Sequence, residues 1–230
     1  MLSLPFYPSN YNYNSVWLWI DIETTGLDPR AENFGILEIA AVITDCDLHV
    51  RDRLHVVIRQ EDRVLNSSSN WCKSHFKSRS EGGNDLFQQC KASTITESEA
   101  GKMLGEFITK HAARRKPQTN ERRDVLLSTT GDTEMIHDSD PQSSYDYYRV
   151  ICAGTSVYFD RNVLLLRFPY LKHLIGHKTV DITSLLEVTR RWRPDIAIRV
   201  PRPDGVHRAL QDITSSIQLA KFIWRTCFRV

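Results

Sequence analysis

A chain of 230 residues is long enough for one domain with a sizeable core, and its formal charge of +2 supplies no global field that would select a polyanion, so any basic surface has to be local. Five cysteines without a Cys-x-x-Cys pair argue against a disulfide frame or a zinc site and read as scattered reduced thiols of an intracellular protein. No apolar run reaches the length of a membrane span.

Residues 1–15, rich in Pro, Asn, Ser and Tyr and lacking Arg, Lys, Asp and Glu, read as an irregular lead-in, unlike a secretory signal or an Arg-rich transit peptide. The expected compartment is therefore intracellular, with mitochondrial and cytoplasmic locations both open. A first strand is predicted at 16–23, where Val16, Leu18, Ile20 and Ile22 alternate with Trp17, Trp19, Asp21 and Glu23. Strands at 36–44 and 54–59 follow, joined through Asp45–Leu48, and short links make the three an antiparallel meander. Helical patterning starts near Ser69 with Trp71 and Phe76, and resumes after the capping-box sequence Thr96-Glu97-Ser98-Glu99. Residues 111–148, basic and then acidic with few aliphatics, read as a polar surface insertion, disordered at its centre.

Beyond it, 149–154 reads as a short buried strand and Val163, Leu164, Leu166 and Phe168 mark a helix. A brief strand near 179–182 precedes a helix capped by Thr183 or Ser184 and stopped by Pro194. The Pro-rich link 200–205 leads into a final helix carrying Leu210, Ile213, Ile217 and Ile223. Three strands followed by alternating helices and short strands specify an α/β domain with a mixed sheet, spanning 16–230 apart from the insertion.

The chemistry concentrates in acids. Asp21 and Glu23 project from one face of the first strand about 7 Å apart, a costly pairing unless a cation lies between them. Hard carboxylate oxygens suit a divalent ion. Asp160 starts the helix after the 149–154 strand, where a plain helix-dipole role is its alternative. His207 and Asp212 are five residues apart, so on one helix they would diverge by about 140°. With Gly205 upstream, His207 can occupy the loop while Asp212 stands one turn into the helix, and the two then converge.

In this order, four acids and one histidine resemble the His-type branch of the DEDD exonucleases, of the ribonuclease H-like fold, and within it the oligoribonuclease family. Asp21–Leu27 resembles the first family motif, Gly154–Asp160 the second and His207–Ile213 the third; the likeness continues through Ile43–Leu48, Trp71–His75, Arg190–Trp192 and Pro194. It implies a 3′–5′ exoribonuclease that degrades short single-stranded RNA, down to dinucleotides, to nucleoside 5′-monophosphates. It further implies two divalent cations, Mg²⁺ or Mn²⁺, held by Asp21, Glu23, Asp160 and Asp212, with His207 as general base. Leu27 would wedge against terminal bases, Trp71 would stack on one, and Ser156 would contact the distal phosphate. The family forms homodimers in which an aromatic–basic pair reaches the neighbouring site; that pair falls here on His177 and Lys178, where Tyr-Arg is usual. Lys lacks the fork of Arg, so a related exonuclease for longer RNA or DNA ends is the alternative. An aspartyl-phosphate phosphatase fits less well, because Glu23 stands where its Asp-x-Asp loop needs a second Asp. A non-catalytic binding module would be expected to have lost ligands, and none is missing.

Overall fold

The computed structural model describes residues 16–112, 150–202 and 205–228. The expected lead-in at 1–15 and the body of the expected insertion lie outside these residues.

Strands β1 (Trp17–Thr24), β2 (Ile36–Thr44) and β3 (Val50–Val57) form the antiparallel meander. Two further strands, β4 (Val150–Gly154) and β5 (Ile175–Asp181), join β1 in parallel, giving the order β3-β2-β1-β4-β5. The mixed sheet is as the sequence predicts. Strand β2 is buried at all nine positions because both sheet faces are covered, which explains its nearly unbroken apolar run.

On one face Leu18, Ile20, Ile22, Ile39 and Ile43 pack under α4 (Glu97–His111) and α5 (Tyr158–Arg167). On the other, Trp19, Ala40 and Val42 pack under α6 (Ile182–Trp192) and α8 (Ala209–Ile223). Trp19 is fully buried and its indole N–H donates to Thr44 Oγ1 at 2.9 Å, so a large apolar ring enters the core without a stranded donor. A third cluster of Leu37, Leu65, Cys72, Phe76, Leu86 and Cys90 seats α1 (Asp62–Asn66), α2 (Asn70–Phe76) and α3 (Leu86–Ala92) beside the meander. Helix α4 carries the predicted capping box, with Thr96 and Glu99 bonding reciprocally. It runs to His111, where the insertion was expected to start.

Several boundaries differ from expectation. Strand β3 begins at Val50 rather than 54, and β5 begins at Ile175 rather than 179. Both are sheet edges, where polar side chains face water and the apolar alternation that marks a strand is lost. The N-cap of α6 is Asp181, whose side chain accepts the Thr183 N–H, rather than Thr183 or Ser184. Pro194 ends α6 as expected but also opens α7 (Pro194–Ala197), since its fixed φ suits a first helical position. Helices α1, α3 and α7 have four to seven residues and were not foreseen; helices this short depend on packing rather than on propensity. Among the described residues no helix is long and apolar enough to cross a membrane.

Candidate active site

The C-terminal end of β1 brings the predicted acids together. Asp21 and Glu23 leave the strand two residues apart, on the face that carries Trp19 and lies under α8. Asp212 descends onto them from the first turn of α8. One carboxylate oxygen from each of Asp21, Glu23 and Asp212 lies within 4.8 Å of the other two, the spacing of donors around a single small cation.

Asp160 closes the group from the β4 side. Strand β4 pairs with β1 only over Trp17–Trp19, and Gly154 ends it: a Cβ there would lie 3.0 Å from the Ile20 carbonyl oxygen. The chain then turns into α5, and Asp160 in its first turn accepts the Ile22 N–H at 2.9 Å, beyond the end of the ladder. The side chain is almost wholly buried.

Burial, added to mutual repulsion, makes this cluster electrostatically unstable when all its members are charged. Burial pushes Asp21 well above the usual carboxylate range, and Asp160, Glu23 and Asp212 push it further. Glu23 is raised to about 8 by burial and then by Asp212, Glu38 and Asp160, with Arg208 opposing. Asp160 is raised to about 7 by burial despite the Ile22 hydrogen bond. Burial raises Asp212 as well, against the pull of His207. Four acids held in this way fit hard divalent cations, which would restore their ionised forms.

His207 occupies the loop, as the spacing predicts, and Asp212 the first helical turn. Gly205 supplies a left-handed turn at φ 64° without strain, whereas His207 itself is held at φ 51°, a conformation disfavoured for a residue with a Cβ. The His207 ring meets Trp71 edge-on at 4.8 Å and His75 edge-on at 5.4 Å, while Trp71 and His75 stack at 4.0 Å. Trp71 remains 46 % exposed, and Leu27, in the loop after β1, is 85 % exposed.

Ser156 lies at the turn after β4 with φ 54°, its N–H donating to Asp181 Oδ1 and Thr183 Oγ1, both at 3.1 Å. His177 and Lys178 are exposed on edge strand β5. They stand four and three residues before Asp181, roughly 10–13 Å along the strand.

Two residues at the site escaped the sequence reading. Glu38, directly opposite Glu23 on β2, is fully buried and accepts from His55 Nε2 at 2.5 Å, Arg208 Nη2 at 2.7 Å and the Ala209 N–H at 3.0 Å. Burial would raise its carboxyl, but these hydrogen bonds outweigh burial and hold it below the ordinary value. A glutamate in a nine-residue strand that is otherwise apolar apart from its terminal Thr44 was the available signal. Asn84, in the loop between α2 and α3, gave none; its amide donates to the carbonyls of Val206 and His207.

Comparison with known proteins follows the same lines. The profile of a family described as Exonuclease matches residues 18–81, which hold the first two acids. An oligoribonuclease from Marinobacter nauticus is 33% identical over 87% of this chain and 89% of its own length. A probable oligoribonuclease from Dictyostelium discoideum is 31% identical over 92% and 90%, and the human mitochondrial oligoribonuclease is 30% identical over 92% and 73%. Among solved structures, exonuclease I from Methylocaldum szegediense superposes with a TM-score of 0.57 at 18% identity, over 93% of this chain and 41% of that one. The zinc-bound E. coli exonuclease I complex with single-stranded DNA gives 0.59 at 15%, over 94% and 42%. The chain thus spans about two-fifths of the length of those structures, which share with it the ribonuclease H-like fold. The relatives matched along nearly their whole length carry the assignment further than fold: the chain belongs to the oligoribonuclease family.

Proposed function

We propose that the protein is a 3′–5′ exoribonuclease that shortens single-stranded RNA oligonucleotides, down to dinucleotides, releasing nucleoside 5′-monophosphates. The observation that carries this reading is the convergence of Asp21, Glu23 and Asp212 at the end of β1, with Asp160 beside them and His207 delivered by the loop before α8. Asp21, Glu23, Asp160 and Asp212 would hold two divalent cations, Mg²⁺ or Mn²⁺. When bound, such ions supply charge for the scissile phosphate and lower the pKa of water.

The remaining work belongs to the chain. His207 takes the proton of the attacking water, since a neutral imidazole nitrogen accepts a proton and a base in reach of the nucleophile contributes about 10²–10⁴-fold. The partly exposed Trp71 ring offers a terminal base a stacking platform, and exposed Leu27 wedges beside it. The Ser156 turn, backed by Asp181 and Thr183, receives the phosphate at the far end of a short substrate. In a homodimer, His177 and Lys178 of edge strand β5 reach the partner's site. Mitochondrial and bacterial relatives alike support an intracellular location, in mitochondria, cytoplasm or both.

A second reading rests on Lys178: without a guanidinium fork, its grip on the distal phosphate is less exclusive, and longer RNA or DNA ends become substrates. One digestion series decides between them, with RNA and DNA from dinucleotides to twenty-mers and with Mg²⁺, Mn²⁺ or chelator. Metal-dependent release of 5′-monophosphates, fastest on the shortest RNA, is the expected result. Equal or better rates on twenty-mers would replace the first reading with the second.

A further inference from the structure

His207 holds a left-handed backbone conformation, φ 51°, that a residue with a Cβ keeps only when its surroundings impose it. The loop is gripped on both sides. After it, the Arg208 guanidinium and the Ala209 N–H both close on Glu38. Before it, the Asn84 side-chain amide donates to the Val206 carbonyl at 3.2 Å and the His207 carbonyl at 2.8 Å, while its oxygen accepts the Leu86 N–H at 3.1 Å. Carbonyls only accept and the N–H only donates, so the orientation of the amide is fixed. The Asn84 backbone N–H bonds the His75 carbonyl at 2.9 Å, which ties the same residue to the end of α2. One asparagine thus joins the helix bearing Trp71 and His75 to the backbone of His207.

We infer that Asn84 is a positioning residue for His207: its amide latches the loop that delivers the imidazole to the helix that presents the stacking rings. The inference rests on the reading of His207 as general base. Asn84 acts through His207 and, among the described residues, its hydrogen bonds go to Val206, His207, Leu86 and His75 and not to the acids, so its removal acts on turnover rather than on substrate grip.

The test is a double-mutant cycle of Asn84→Asp with His207→Ala, measured on a dinucleotide RNA with Mn²⁺. Asn84→Asp keeps an acceptor for Leu86 but turns an acceptor oxygen on two carbonyls. A displaced base is expected to lower kcat about 10–100-fold with KM within about twofold. In the His207→Ala background the same change is expected to cost less than about twofold, because the group it positions is gone. If Asn84→Asp fails to fold, Asn84→Ala, which removes the latch without adding a charge, carries the same comparison. An equal loss in both backgrounds, an unchanged wild-type rate, or a raised KM at constant kcat overturns the inference while leaving His207 as base. Full activity in His207→Ala alone removes the base assignment, and the inference with it.

Discussion

Glu23 and Glu38 stand opposite each other on β1 and β2, and their carboxyls are shifted in opposite directions, Glu23 up to about 8 and Glu38 below its ordinary value. The difference is Arg208. Its guanidinium lies on Glu38, with His55 and the Ala209 N–H completing the set, so that carboxylate is neutralised from within. Glu23 faces Asp212 and Asp160 and has only the more distant charge of Arg208 in its favour. One glutamate of the pair is satisfied by the fold; the other has a charge that the fold leaves for a ligand.

Removing metal makes stability fall with rising pH. The folded-state pKa values of Glu23 (about 8) and Asp160 (about 7) lie above their ordinary values of 4.5 and 3.8. The folded protein therefore binds more protons than the unfolded chain between roughly pH 4 and 8, and stability declines across that window. Differential scanning fluorimetry of chelated protein should show Tm dropping from pH 5 to pH 8. Added Mn²⁺ should raise Tm more at pH 8 than at pH 6, because binding at pH 6 must first displace protons.

Neutralising a ligand should separate stability from activity. Glu23→Gln or Asp212→Asn removes the cost of either protonating a carboxyl of the cluster or holding it charged, so the metal-free Tm at pH 8 should rise by a few degrees while cleavage falls by about 10³-fold or more. Wild-type turnover in Asp212→Asn would remove that residue from the metal site.

Glu38→Gln should behave in the reverse way. It takes the carboxylate away from the largely buried Arg208 guanidinium, leaving Gln89 as an uncharged acceptor, a loss of up to about 3–5 kcal/mol by urea unfolding when one partner of a buried pair is removed. The folded Glu38 carboxyl lies below 4.5, so its contribution is complete above that pH and is lost as the pH falls below it. The variant should therefore lose part of the acid sensitivity of the wild type, and a melt series from pH 6 to pH 3 checks this.

Trp71→Ala should weaken substrate binding with little effect on folding. Stacking of a base on an aromatic ring is worth about 1–3 kcal/mol, or roughly 5–150-fold in KM. The ring is nearly half exposed, so Tm should move far less than for Phe76→Ala, whose side chain is fully buried in the cluster under α1–α3. Comparable losses of Tm would make Trp71 a packing residue.

Local rules account for what the sequence alone determined. Alternation on β1 aims Asp21 and Glu23 to one side, the capping box starts α4, and Gly205 with a five-residue spacing separates loop-borne His207 from helical Asp212. Each depends on neighbours within a turn or a strand, so each can be read directly from the letters. Whether Glu38 should be counted with Glu23 could not be read that way, because its answer lies in an arginine 170 residues along the chain. Asn84 reaches its partners across 122 and 123 residues, and the short helices α1, α3 and α7 exist only because the sheet and its neighbours cover them. The tertiary structure decided these points, since burial and long-range hydrogen bonds determine which of several chemically identical side chains is neutralised within the fold and which is left to bind a ligand.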